Sequence, residues 1–261
     1  VSLSTEPVFS LLKNDFVCGY RDIQNMKYAG ASGRHLPDEN AVDTTNGAGP
    51  HNIQLFVLDP DGTVLTCLPG YWHAEDLAPE LELAQNLDKV WHDPSLTLPQ
   101  KKAQFTQMQL AHIGVHPKAE NHRSHMQGFD EQFEAKNNPN SDFFYNPRAI
   151  DPQTGHTPKE NVKSVDIVFH ERLADRPFVP YDKFDVAQYA SYGKLKYDKE
   201  EMFRDPTTGQ IAAGADRSSE PMIGNDPKAH PVKTEVKRTG FMIARQTVNS
   251  FVRVGIGSLI H

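Results

Sequence analysis

The sequence predicts an α/β domain extended by further α-helices and followed by a long irregular C-terminal strap. Three observations carry that expectation. Residues 52–58 and 63–68 are apolar runs separated by Asp59-Pro60-Asp61-Gly62, and Asp-Gly between two such runs is a strong hairpin signal because glycine supplies the positive φ of a tight turn. From Ala74 the apolar period changes from two to about 3.6 residues, the period of an amphipathic helix. After Pro177 aliphatic residues thin out, and aromatic residues follow one another singly: Phe178, Tyr181, Phe184, Tyr189, Tyr192, Tyr197 and Phe203.

The elements follow in chain order. Strands are expected at 53–58 and 63–68, antiparallel through Asp61-Gly62. A helix is expected over 75–91, with Leu77, Leu81, Ala84 and Trp91 on one stripe and Pro79 tolerated in its first turn. A second helix is predicted over 99–115, opened by Pro99 and closed by Gly114 and Pro117, with Phe105, Met108, His112 and Val115 on one face. A short helix around 129–135 interrupts a polar, Asn/Pro-rich stretch. A longer one is expected over 161–175, where Val165, Val168, Phe169 and Arg172 or Leu173 form a stripe that stops before Arg176-Pro177. Strand-like runs return at 241–244 and 250–254. The implied divisions are 1–95, 96–176 as a helical extension, and 177–261 as the strap and C-terminal strand region.

Composition narrows the function classes. The 261 residues hold 27 Lys+Arg against 34 Asp+Glu, a formal charge of −7, which argues against a general nucleic-acid binder. No run approaches 18 consecutive apolar residues, so no transmembrane segment is expected. The two cysteines, Cys18 and Cys67, are too few for a disulfide framework or a cysteine-only metal site. They form either one disulfide or two free thiols. The chain opens Val-Ser-Leu without Met, which reads as a processed or trimmed N-terminus. That favours a secreted or periplasmic protein, with the cytoplasm left open.

Residues 52–81, with strand, Asp-Pro-Asp-Gly turn, strand, Gly70-Tyr71 and a helix entered through Glu75-Asp76 and leucines, resemble the C-terminal half of a thioredoxin-like domain. The resemblance spans roughly residues 5–92. It implies a mixed sheet covered by helices and a redox role for a cysteine at a helix N-terminus. Cys18, with Asp22, Ile23 and Met26 beginning that helix and Phe9–Leu12 or Phe16–Val17 supplying a strand, takes those places. The chain departs from the family where Gly19-Tyr20-Arg21 follows Cys18, so the second thiol of Cys-x-x-Cys is missing. Pro50 is the proline nearest the position where the family places a cis-proline.

Two candidate sites follow. At a helix N-terminus beside Arg21, Cys18 is the expected catalytic thiolate, because the peptide dipole and the guanidinium both favour the charged form. His112 and His116, spaced i, i+4, place two imidazoles on one helical face as a shared zinc or copper ion requires. A mixed site of Cys18 with His35 or His51 would suit copper. His92, His122 and His125 lie nearby in sequence. H-E-x-x-H, G-x-S-x-G, Walker A and dinucleotide motifs are absent. The leading expectation is an exported thioredoxin-like protein with thiol chemistry at Cys18. The alternatives are a non-catalytic assembly protein, self-associating as a homo-oligomer through its aromatic arm, and a His/Cys metal-binding protein.

Overall fold

A computed structural model describes residues 2–23, 25–30 and 44–195. Among the described residues, helices dominate and the sheet has two strands. Helix α1 (Val8–Asp15) comes first. Strands β1 (Gln54–Leu58) and β2 (Val64–Pro69) pair antiparallel with Phe56 opposite Cys67, and an irregularity falls between Val57 and Leu58. The turn forms as the sequence predicts. The Asp59 carboxylate accepts from the amides of Asp61 (3.0 Å) and Thr63 (2.8 Å), and Gly62 takes φ 83°. That left-handed conformation is what glycine permits there.

Helix α2 (Ala74–His92) follows, then α3 (Leu98–Ile113), α4 (Lys118–Arg123), α5 (Gly128–Asn137), α6 (Val165–Ala174) and the single turn α7 (Val186–Tyr189). A capping box opens α3, with Thr97 and Gln100 satisfying each other's end of the first turn. Helix α2 begins early enough that Pro79 lies in its second turn rather than its first; the carbonyl it leaves unpaired belongs to Glu75, on the exposed side. Val115, expected on the inner face of α3, lies beyond its end and is 72% exposed.

All six residues of β2 are buried, because α2 and α6 both pack against it, while α3 packs on α2 and α6. One hydrophobic cluster draws on Val8, the hairpin, α2, α3, α6 and the aromatic residues of 178–192. The core therefore runs across residues 95 and 176 without a break.

The sheet departs from the thioredoxin-like expectation on the N-terminal side. Phe9–Leu12 lies within α1 rather than a strand, and residues 16–23 form neither strand nor helix. The described part of the strap packs on its own chain. Val64 donates to the Val179 carbonyl (2.9 Å) and Tyr181 to the Gly62 carbonyl (2.9 Å). Phe178, Phe184, Tyr189 and Tyr192 are buried. Phe178, at φ 53°, is held between Trp91 and Phe105. These four rings are covered by their own chain. Tyr197, Phe203 and the strand-like runs after 240 lie outside the described residues.

Candidate metal centre

Helices α2, α3 and α6 each turn polar side chains into the core. On α2, Glu80 lies among Leu77, Leu81 and Ala84, fully buried. On α3, Gln109 and His112 continue the face begun by Phe105. On α6, Asp166 and His170 are spaced i, i+4 beside Phe169, both buried. Helix α3 ends at Ile113, but the turn continues. Gly114 donates to Ala111 (3.1 Å) and Val115 to His112 (3.0 Å), so His116 still returns beside His112, with ring centroids 4.7 Å apart.

Four side chains meet there. Glu80 Oε1 lies 3.1 Å from His112 Nε2, 3.4 Å from His116 Nε2 and 3.1 Å from His170 Nε2. The four ligand atoms all fall within 4.8 Å of one another. Four donors at zinc-type distances on a tetrahedron stand about 3.3–3.4 Å apart, so the three separations from Glu80 lie within a few tenths of an ångström of a tetrahedral edge.

A second layer fixes the rings. His116 Nδ1 donates to Asp166 Oδ2 (2.7 Å), and His170 Nδ1 donates to Gln109 Oε1 (2.7 Å). With protons on those Nδ1 atoms, the Nε2 atoms are the ones that face Glu80, and each would offer a lone pair to a cation once its own proton leaves. Carboxylate or amide oxygens behind ligating imidazoles serve this purpose in metal sites. Glu120, on α4, lies behind His116 at 3.9 Å from its Nδ1. Beyond it, Asp76 pairs with Arg123, and Asn46 donates to Asp76 (2.7 Å) and Ser124 (2.9 Å). The Asn46 loop is locked where Gly70, at φ 81°, lets the backbone of Gly47 approach too closely for any Cβ.

The electrostatics are those of a site short of positive charge. Burial raises the Glu80 carboxyl, but the charge of His170, the hydrogen bonds from His112 and His170 and the nearby His116 ring outweigh it and hold the group well below the carboxylate range. Burial lowers His116, yet Asp166, Glu80 and Glu120 raise it to about 10. Glu120 is pushed up to about 8 by burial, against the pull of His116 and with Asp76, Glu80 and Asp166 adding to the rise. Among the described residues no Lys or Arg forms an ion pair with Glu80, Glu120 or Asp166. Glu80 Oε2, His116 Nε2, Glu120 Oε1 and Asp166 Oδ1 are buried without a hydrogen-bond partner. Such orphaned polar atoms are costly unless something satisfies them. The donor set of three imidazoles and one carboxylate fits a divalent transition ion of the zinc class.

Of the residues singled out from sequence, His112 and His116 come together as the i, i+4 spacing predicts. Cys18 does not join them. It is exposed, lies three residues past the end of α1, and its Sγ faces the Leu12 carbonyl at 3.9 Å. It thus sits beyond a helix C-terminus and not at the helix start expected for it. Arg21 is directed to Tyr181, whose hydroxyl it reaches at 3.3 Å. Cys67 is a separate free thiol, buried in β2, and burial pushes it well above its usual range. His51 is buried against the Tyr192 carbonyl (3.0 Å), and His35 lies outside the described residues. His92 meets Asp59 and Asp88, while the His125 ring lies against the His122 carbonyl.

Glu80, His170, Gln109, Asp166 and Glu120 complete the centre and were not legible as ligands one by one. The available signal was a charged or polar residue standing inside an apolar stripe, as Glu80 does between Leu77 and Leu81. No protein family, curated protein or solved structure matches the chain.

Proposed function

We propose that this is a metal-binding protein in which Glu80, His112, His116 and His170 hold one divalent ion, zinc by preference, at a buried site that ties α2, α3 and α6 together. One observation carries the reading: three imidazole Nε2 atoms converge on a single buried carboxylate oxygen at 3.1–3.4 Å. Zinc suits a compact four-donor N/O set, whereas copper(I) favours the sulfur donors missing from this cluster and copper(II) favours tetragonal geometry. Four protein donors fill a tetrahedron, so the ion's role is to hold the helices rather than to activate water. Thiol chemistry at Cys18 has less support, since accessibility is its one favourable feature and the nearest helix presents its C-terminal end.

The test is zinc retention. Protein stripped with a chelator and reloaded should keep tightly bound zinc through gel filtration. His112→Ala and His170→Ala should each weaken that binding by more than roughly 100-fold, beyond what loss of an outer-shell partner causes. His112 is the safer site, because its side chain is 12% exposed. Circular dichroism checks that each variant folds. Zinc binding equal to wild type in a folded His112→Ala protein would overturn the reading.

A further inference from the structure

We infer that a second divalent cation binds directly behind the first, held by His116 Nδ1, Asp166 and Glu120, with the His116 ring bridging the two ions. The inference rests on the first site being a metal site and extends it. Three observations carry it.

The first is geometric. The ligand atoms of His116, Glu120 and Asp166 lie within 4.8 Å of one another, and this group shares His116 with the first cluster. The ring's two nitrogens face opposite groups: Nε2 is 3.4 Å from Glu80, and Nδ1 is 2.7 Å from Asp166 and 3.9 Å from Glu120.

The second is unmet bonding capacity. Asp166 Oδ1 and Glu120 Oε1 are both buried without a hydrogen-bond partner, and the two side chains are 0% and 1% exposed. A carboxylate needed only to orient His116 would use one oxygen. Here a second carboxylate stands beside it with a free oxygen, which a cation satisfies and an outer-shell role does not.

The third is charge. Glu80, Glu120 and Asp166 are buried carboxylates with no Lys or Arg ion pair among the described residues. With all three ionised, one divalent ion leaves a buried negative charge over. When both ring nitrogens of His116 bind metal, the Nδ1–H proton leaves to solvent and the ring becomes an imidazolate. Three carboxylates and one imidazolate then balance two divalent cations. Buried charge is tolerated when balanced in this way. Two carboxylate oxygens and one nitrogen make the second position the harder of the two, suited to zinc or manganese.

The probe is Zn²⁺ alone, titrated into chelator-stripped full-length protein and counted by elemental analysis after gel filtration. Wild type should retain one more equivalent than the Glu120→Gln/Asp166→Asn double variant, and Glu120→Gln alone should already weaken that extra equivalent. The double variant should keep the equivalent that His112→Ala loses. With Cu²⁺ as probe, the second equivalent should quench the paramagnetic resonance signal of the first in wild type, through coupling across the bridging ring, and not in the double variant. Equal retention by wild type and a folded double variant overturns the second site while leaving the first intact. If wild type and a folded His112→Ala protein retain the same amount of zinc, the first site and this inference fall together.

Discussion

At the scale of single residues, the centre behaves as a place where protons stand in for cations. His116 is raised from 6.5 to about 10, with burial opposing Asp166 and Glu80, and Glu120 is raised from 4.5 to about 8, chiefly by burial. Both groups bind more protons folded than unfolded. Their contributions are complete below 4.5 for Glu120 and 6.5 for His116, and are lost as pH rises through about 8 and about 10. Glu80 has the opposite sign. Held below 4.5, it contributes fully above that pH and loses its contribution only in acid, so it adds no slope near neutrality. The metal-free protein should therefore melt at progressively lower temperature from about pH 6.5 to pH 9. Saturating zinc should flatten or reverse that trend, because the ion replaces the protons and binds better as they leave. Thermal melts in chelator and in zinc at matched pH check this. A metal-free profile that stays level over this range would show that the cluster does not hold those protons.

Among the elements, β2 and α6 are joined by the turn that ends the described strap. The Tyr189 hydroxyl, fully buried on α7, lies 2.8 Å from the Cys67 carbonyl and 3.2 Å from the Phe169 carbonyl. Its ring stacks on Phe169 and meets Phe184 edge-on. Phe169 directly precedes His170, so α7 buttresses the strand and helix that flank the candidate metal centre. Tyr189→Phe keeps the packing and removes the hydrogen bond, which should cost about 1 kcal/mol. Denaturant unfolding should show a lower midpoint with an unchanged slope. No loss of stability would mean that the ring alone holds the strap.

For the whole molecule, the ligands come from elements that form one core rather than from a loop that folds by itself. Val8, the hairpin, α2, α3, α6 and the aromatic residues through Tyr192 share a single hydrophobic cluster, and Glu80, His112 and His170 project from three of its helices. Metal binding at this candidate centre would therefore be coupled to global folding. An ion at 100 times its dissociation constant should stabilise the folded state by about 2.7 kcal/mol, a rise of roughly 5–11 °C for a domain of this size. Zinc should give that shift and magnesium should not, since magnesium avoids nitrogen donors. Identical melting in zinc and in chelator would argue that the site does not bind in the folded protein.

The hairpin, α2, α3 and the approximate places of α5 and α6 were legible in the chain because each is fixed locally. Gly62 makes the turn, the period changes at Ala74, and Pro and Gly punctuate α3. His112 and His116 were legible for the same reason, since i, i+4 spacing is a local rule that survived the end of α3 at Ile113. Cys18 misled because its expected helix depended on a resemblance, whereas residues 16–23 form no helix. The remaining ligands come from 32 residues before His112 and 58 after it, at Glu80 and His170. Local periodicity marks which face of a helix is inward, but it carries no information about which inward residues of separate helices meet. Only the packing of α2 and α6 against β2, and of α3 on both helices, decided that Glu80 would stand within reach of three imidazoles, and that Asp166 and Glu120 would stand behind the third.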